Sequence, residues 1–196
     1  MREAKAAQRY RQIDLTIFAF MVVLFESIVV LAARRWFPGQ AFTVSVVPAV
    51  TAIVLIRWGP WAAIHALLGG AAFCYMSAAE PKQYAIYCIG NLFSLLALFL
   101  VKALGGEEEV RRSVYKTLGY GLCVTLLMQA GRFLIAVLLG TAVDLALGFF
   151  TTEAGTLLFT LLILWIVRRL DGVFEDQYHY LLRLRAEQEE ERGGYR

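Results

Sequence analysis

The sequence predicts an all-α polytopic membrane protein: a bundle of six transmembrane helices with both termini in the cytoplasm, followed by an amphipathic C-terminal helix. Two observations predict this class. Hydrophobic residues make up 59% of the 196 residues and charged residues only 18%, so the chain lacks the polar surface that a soluble domain of this size needs. The most apolar stretch, from Phe42 to Met76, also has no polar face that could meet water. We therefore expect a multi-pass protein of the cell membrane.

The stretch from Phe42 to Met76 consists of two apolar segments joined by only four residues, Arg57 to Pro60. Gly59 permits a sharp change of chain direction. Pro60 has no backbone N–H and suits the first turn of the helix that follows. Together these features predict a tight helical hairpin, around which the rest of the chain is arranged.

Six segments approach the ~20 mostly apolar residues that a transmembrane helix requires. The first follows a basic N-terminal segment and is longer than the ~7–15-residue core of a signal peptide, so we interpret it as a retained span. The second and the sixth are short, which calls for a thin bilayer or for burial among neighbouring helices. The predicted spans are Ile13–Ala33, Phe42–Ile56, Trp61–Ala78, Tyr84–Val101, Tyr115–Leu139 and Ala154–Val167.

The distribution of basic residues predicts the orientation. With the N-terminus inside, 15 Lys and Arg residues fall in cytoplasmic segments, whereas the outer segments hold only Arg34, Arg35 and Lys82. Cytoplasmic loops of membrane proteins are enriched in Lys and Arg. An N-in, C-in topology follows, and Arg132 is the one basic residue left inside a span.

The residues after the last span form a second predicted unit. We divide the chain into a transmembrane domain, residues 1–172, and a cytoplasmic amphipathic helix with a charged tail, residues 173–196. Apolar residues of the second unit recur at mostly helical intervals, and the helix ends in a charged run from Glu187 to Arg192. An interfacial helix with a solvated polar face and a helix that docks on a partner both fit this pattern.

The sequence contains no convincing signature of an enzyme. The strings G-x-S-x-G, P-loop, H-E-x-x-H and C-x-x-C do not occur in it. Glu107, Glu108 and Arg112 match the E-E-x-x-x-R string of intramembrane CAAX-type proteases, but they fall in a predicted cytoplasmic loop, and the chain's histidines are only His65 and His179. We expect a protein that is not an enzyme and that has no cofactor, no metal and no nucleic-acid partner.

A small set of polar residues lies inside the predicted spans. An ionisable group in hydrocarbon costs at least ~2.5–3.5 kcal/mol on insertion scales, so such groups tend to face a cavity or a partner. Helix rise and spacing place the set in the outer half of the bundle, where we predict a substrate-binding site. Its members are Glu26, Tyr84, Tyr87, Asn91, Gln129 and Arg132.

Two roles for Arg132 remain open at this stage. Arg132 can pair with Glu26, which would neutralise both charges and hold the bundle together. Alternatively, it can face a cavity at the outer end and bind an anionic group of a small-molecule substrate, with the other polar residues around it. In that case the first outer loop, Arg34–Ala41, would form a lid.

The hairpin carries a resemblance to a known family. Its pattern P-x-x-x-A, G-P-W-x-A and L-x-G resembles the substrate-binding S components of energy-coupling-factor (ECF) vitamin transporters, which also have six spans and cytoplasmic termini. The resemblance covers mainly residues 42–76 and the overall topology. The residues that carry it are Pro48, Ala52, Gly59, Pro60, Trp61, Ala63, Leu67 and Gly69.

The resemblance implies a membrane subunit that captures a vitamin-like small molecule from outside and works with a transmembrane coupling subunit and two ATPases. The alternative is a membrane scaffold without transport activity, similar to the cell-shape protein MreD. In that case a short segment around Asp144 and the C-terminal helix would contact partner proteins. A metabolite bound in the outer pocket would distinguish the two functions.

Overall fold

The computed structural model describes residues 2–39, 42–170, 172–175, 180, 182 and 183, and the side chains from residue 8 onward. All regular structure within these residues is helical. Five helices are long and apolar enough to cross a membrane, which agrees with a multi-pass membrane protein. They are Gln8–Trp36, Val47–Met76, Pro81–Ala103, Val114–Leu138 and Val143–Val167.

The elements follow one another closely along the chain. The long helix α1 and the helix α7 are uninterrupted, whereas the other membrane segments contain 3-10 turns or breaks. The 3-10 turns are Gly59–Trp61 and Leu92–Leu96. The α-helices are α1 Arg2–Trp36, α2 Val47–Trp58, α3 Ala62–Met76, α4 Pro81–Asn91, α5 Ala97–Ala103, α6 Glu107–Arg112, α7 Val114–Leu138, α8 Val143–Ala146, α9 Gly148–Thr151 and α10 Ala154–Val167.

The predicted hairpin is confirmed. Gly59 adopts a positive φ of 58° at the turn, and a Cβ placed on Gly69 would lie 2.5 Å from the side chain of Val47. Residues 22 positions apart in one straight helix would be separated by ~33 Å, so the chain folds back at Gly59. At 12 and 15 residues, the arms α2 and α3 are only ~18 and ~22 Å long, less than the ~30 Å hydrocarbon core. Six complete crossings therefore stay a prediction.

Helix α2 occupies the centre of the bundle. Every residue from Val47 to Ile56 is buried, and α2 packs against α1, α3, α7 and α10. The surrounding helices expose many large apolar side chains, including Phe20, Phe99 and Leu158, which are 66–71% exposed. Such an arrangement, with an apolar centre and an apolar outer surface, is expected of a protein whose surroundings are lipid.

Small residues, Ala62, Ala66 and Gly70, recur every four positions along α3. All three are buried. A Cβ on Gly70 would lie 3.1 Å from backbone atoms of Tyr87 and Cys88, so only glycine fits this contact without a shift of α4. The close contact brings the backbone of α3 within reach of polar side chains on α4.

One end of the bundle, which we call the basic end, holds the hairpin turn. Arg57 forms a 2.8 Å ion pair with Asp14, and its Nη1 donates to the carbonyls of Gly172 and Val173 at 3.0 and 2.7 Å. Phe174 is 6% exposed and packs into the main apolar core. Residues 172–174 thus pack directly on the transmembrane helices.

The opposite end of the bundle carries Arg34, whose Nη1 donates to the carbonyl of Met76 at the end of α3. Arg34 and Arg57, which were predicted for opposite sides, thus lie at opposite ends of α3. The orientation of these ends in a membrane stays a prediction. Most of the predicted C-terminal helix and the lid residues Gln40 and Ala41 lie outside the described residues.

Candidate functional site

Two helices begin inside the bundle rather than at its surface. An extended segment, residues 42–45, precedes α2, and its Thr43 N–H donates to the carbonyl of Thr152 at 3.0 Å. The Thr156 hydroxyl in turn donates to the Thr43 carbonyl at 3.2 Å. This contact holds the start of α2 beside the start of α10. In membrane proteins such non-helical backbone is tolerated only where protein buries it or where it lines a cavity.

Each of these two helix starts has a buried carboxylate. Glu26 of α1 is fully buried, and its Oε2 accepts hydrogen bonds from the Val46 N–H at 2.9 Å and from the Ser45 hydroxyl at 3.0 Å. Glu153 is 2% exposed and immediately precedes α10. The N-terminus of a helix carries a partial positive charge and stabilises anionic groups close to it. The fold thus favours a carboxylate at both positions.

Arg132 of α7 lies between α4 and the start of α10. Its Nη1 donates to both carboxylate oxygens of Glu153, and its Nε donates to Asn91 Oδ1 at 2.8 Å. The guanidinium also lies over the ring of Tyr87, 4.6 Å from its centroid. Asn91 Nδ2 donates to the Ala66 carbonyl at 3.1 Å, so the network extends to α3. We call Arg132, Glu153, Asn91, Tyr87 and Glu26 the polar cluster.

Helices α4 and α7 cross at two glycines, and this crossing positions the cluster. A Cβ on Gly90 would lie 2.7 Å from the backbone of Arg132, and a Cβ on Gly131 would lie 2.2 Å from the carbonyl oxygen of Gly90. Helices α4 and α7 therefore touch through their backbones at this level. The contact brings Asn91 and Arg132, the residues next to these glycines, within hydrogen-bonding distance.

The structure brings together part of the predicted site. Tyr87, Asn91 and Arg132 are in direct contact, and Glu26 binds Ser45, which borders the same enclosed space. Gln129 is buried one turn away on α7, and Tyr84 is half-buried near the start of α4. Neither of these two residues borders the enclosed space.

Of the two roles left open for Arg132, pairing with Glu26 is not found, because Arg132 pairs with Glu153. The other role placed Arg132 at an open cavity, but its side chain is only 2% exposed in the structure. Glu153 was not among the predicted site residues, because these were chosen within the predicted spans and Glu153 precedes the last span by one residue. A carboxylate directly before an apolar helix, after the polar pair Thr151 and Thr152, is the signal that would have identified it.

The cluster contains more carboxyl groups than guanidinium groups. It contains two carboxylates and one guanidinium, and Oε1 of Glu26 is buried without a hydrogen-bond partner among the described residues. A buried acceptor of this kind costs about 1–3 kcal/mol, more if it is charged. The enclosed space between the cluster and Val47, Gly69 and Phe73 is too small for a water molecule. The arrangement therefore leaves one acceptor unused.

A larger cavity lies close to the polar cluster, at the end of the bundle opposite the basic end. Its volume is about 690 Å³, and it is bordered by the end of α1, the predicted lid and the end of α3. Pro38 and Gly39 of the predicted lid line it, and Gly39 has a positive φ of 82°, which glycine adopts readily. The cavity shares Thr43 and Phe73 with the enclosed space. The open volume therefore adjoins the enclosed space that borders the polar cluster.

Comparison with protein-family models, with curated proteins and with solved structures finds no match for this chain. Within the residues that the structure describes, no three His, Cys, Asp or Glu side chains form a group that could hold a metal ion. The E-E-x-x-x-R string forms the short helix α6 at the basic end, where Glu108 pairs with Arg111 and Arg112.

Proposed function

We propose that this chain is a membrane-embedded substrate-binding subunit for uptake of a vitamin-like small molecule, similar to the S components of ECF transporters. The observation that carries the proposal is the 690 Å³ cavity next to the buried polar cluster. Small-molecule sites are concave, mostly apolar volumes of about 300–1,000 Å³ with a few converging polar groups. The cavity has this size, and the cluster supplies the polar groups.

The contacts of the cluster favour one kind of ligand group. An anionic group of the ligand would have to displace Glu153 from Arg132, because that guanidinium is already paired. A group that donates a hydrogen bond or carries a positive charge would instead satisfy Oε1 of Glu26. The proposal therefore assigns Glu26 to a donor or cationic group of the substrate, in place of the anionic group expected from Arg132.

Phe73 controls access to the cluster in this proposal. Its ring packs on Tyr87 with a centroid distance of 4.5 Å, and Phe73 borders both the cavity and the enclosed space. In this proposal a ligand in the cavity reaches the enclosed space beside the cluster when the Phe73 side chain changes its rotamer. We propose that ligand binding opens this contact.

The orientation belongs to the same proposal: the basic end in the cytoplasm and the cavity facing outward. A cysteine in place of Gln83 should react with a membrane-impermeant reagent in intact cells, whereas one in place of Glu108 should not. The native cysteines Cys74, Cys88 and Cys123 are first changed to alanine. Labelling at Glu108 from outside would reverse the orientation and exclude uptake through the cavity.

The test of function is purification of the full chain in mild detergent and identification of bound small molecules by mass spectrometry. Wild type should carry one ligand per chain, and Glu26→Gln should lose it. Asp144→Asn is the matched control, because Asp144 is exposed and makes no ion pair or hydrogen bond with the cluster among the described contacts, and it should keep the ligand. The resemblance also implies a transmembrane coupling subunit and ATPases. Uptake of the identified ligand would then be measured in cells with and without these partners. Equal ligand content in wild type and Glu26→Gln would contradict the site.

One observation favours the alternative, a scaffold similar to MreD: the enclosed space at the cluster has no room for water, and Arg132 is fully paired. A purely structural cluster would look the same. Val143 and Leu145 beside Asp144 are 55% and 70% exposed and would then contact a partner. If Val143→Ser with Leu145→Ser removes a co-purifying membrane protein and wild type carries no ligand, the scaffold is the better function.

A further inference from the structure

A second concave site lies at the basic end, far from the polar cluster. A cavity of about 320 Å³ opens between α6, the end of α10 and residues 172–175. Two carboxylates, Glu108 and Glu175, border it together with five guanidinium groups. We call it the arginine pocket, and its arginines are Arg111, Arg112, Arg168, Arg169 and Arg183.

The carboxylates do not balance the arginines. Glu108 pairs with Arg111 and lies 3.6 Å from Arg112 Nε. Glu175 lies 3.0 Å from Arg183 and 3.8 Å from Arg111. Each carboxylate is thus shared between two guanidiniums. Without Arg183, the described lining of the pocket still holds four arginines and two glutamates, a formal charge of +2. Guanidinium groups gathered in a concave site attract an anion.

Backbone contacts hold the pocket in shape. Arg168 Nε donates to the carbonyl of Arg111 at 3.1 Å, and Arg168 Nη2 donates to that of Arg112 at 2.6 Å. These bonds join the end of α10 to the end of α6. The pocket is therefore part of the folded bundle and does not depend on a chance arrangement of long side chains.

The position of the pocket relative to the bundle identifies the anion. The guanidinium of Arg169 lies 4.1 Å above the ring of Trp165, in the last turn of the membrane helix α10. Tryptophan is enriched at the level of lipid headgroups. Leu170 borders the pocket and is 54% exposed, and Ile166 on α10 is 48% exposed. A basic site at headgroup level thus continues into an apolar surface.

We propose that the arginine pocket binds the phosphate of an anionic lipid headgroup, with the acyl chains along the exposed face of α10. Arginine binds phosphate oxygens through two parallel N–H donors, and basic clusters at the membrane surface attract anionic lipids. The chemistry would also suit a soluble phosphate. The adjoining apolar surface and the interfacial level favour the lipid.

The test is a lipid titration of the full chain in detergent, followed by native mass spectrometry, with phosphatidylglycerol and phosphatidylcholine compared. Wild type should bind at least tenfold more phosphatidylglycerol than phosphatidylcholine. The double variant Arg112→Gln with Arg169→Gln removes two charges whose side chains make no bond to the backbone among the described contacts. Its phosphatidylglycerol affinity should fall about 30-fold, from the surface attraction of two arginines.

The matched control is Arg35→Gln with Lys82→Gln, which removes two exposed charges at the opposite end and should keep the wild-type preference. Arg112→Gln alone changes a side chain that is 75% exposed, so this variant should fold as wild type and still bind phosphatidylglycerol more weakly. Three outcomes would overturn the proposal: no preference for the anionic lipid, equal loss in the control, or displacement of the lipid by equimolar inorganic pyrophosphate or polyglutamate peptide.

Discussion

The bundle contains two buried pairs of an arginine and a carboxylate, one near each end. At the basic end, Arg57 and Asp14 are 7% and 9% exposed, and near the opposite end Arg132 and Glu153 are 2% and 3% exposed. Both pairs join helices that are distant in the sequence. They differ in what surrounds them, and this difference separates a structural pair from a candidate site.

The pair at the basic end has all its main contacts within the chain. Arg57 has two backbone acceptors besides Asp14, and Asp14 also accepts a hydrogen bond from the indole N–H of Trp58. The other pair is part of a cluster with an extra carboxylate, Glu26, one of whose oxygens has no partner in the described part of the chain. A pair whose hydrogen-bonding groups all have partners within the chain stabilises the fold. A buried acceptor without a partner, close to a cavity, can bind a ligand.

The largest effect is expected for Glu153→Ala. The substitution leaves the guanidinium of Arg132 buried without its carboxylate, and removal of one partner of a buried pair costs ~3–5 kcal/mol. Denaturant unfolding in mixed micelles measures the free energy of unfolding. The double variant Glu153→Ala with Arg132→Ala should recover much of the loss, and the control Asp144→Ala should stay close to wild type. A single variant as stable as the control would show that the pair is not formed.

A smaller effect is expected for Asp14→Ala at the basic end. Arg57 keeps the carbonyls of Gly172 and Val173, so its charge is not stranded. We expect a loss of ~1.5–3 kcal/mol, the usual value of a hydrogen bond to a charged group. The same unfolding measurement compares this variant with Glu153→Ala. If Asp14→Ala is the more destabilising of the two, the contrast between the two pairs is reversed.

A third prediction concerns Glu26→Gln, which should change the free energy of unfolding by no more than ~1 kcal/mol. The amide oxygen of glutamine can still accept the hydrogen bond of the Val46 N–H, worth about 1 kcal/mol. In a double-mutant cycle, Glu26 and Arg132 should couple by no more than the ~0.3–0.5 kcal/mol found for independent sites. A coupling of several times this value would mean that the two residues stabilise each other directly.

The smallest effect concerns a partly exposed pair at the basic end, Glu109 and Lys116. A hydrogen bond from Lys116, with its positive charge, holds the pKa of the Glu109 carboxyl below its usual 4.5. The pair therefore stabilises the fold above the usual pKa of the carboxyl, and this contribution is lost as the pH falls through the lowered pKa. Glu109→Gln should flatten the acid limb of the unfolding profile slightly. High salt should remove the difference, as expected for a solvated pair.

The sequence predicted the apolar segments well, because hydropathy and helix length are local properties. Residues 154–167 form α10 with the predicted bounds, and the reversal at Gly59 followed from four residues. The spacing of Tyr87 and Asn91 placed both on the face of α4 that meets Arg132. What local patterns could not predict is that α2 starts only at Val47, since the extended segment before it is as apolar as a helix.

The sequence alone determined that this chain forms helices long and apolar enough to cross a membrane, because hydropathy and segment length follow from composition and order along the chain. Only the tertiary structure decided the partner of Arg132. Two contacts bring α4, α7 and the start of α10 together: that of Gly90 with Gly131 and the hydrogen bond from Thr43 to Thr152. Arg132 therefore forms its ion pair with Glu153. One oxygen of Glu26 accepts a hydrogen bond at the start of α2, and the other has no partner among the described residues. The partner of a buried charge depends on which groups are close in space, and the order of residues along the chain does not show this.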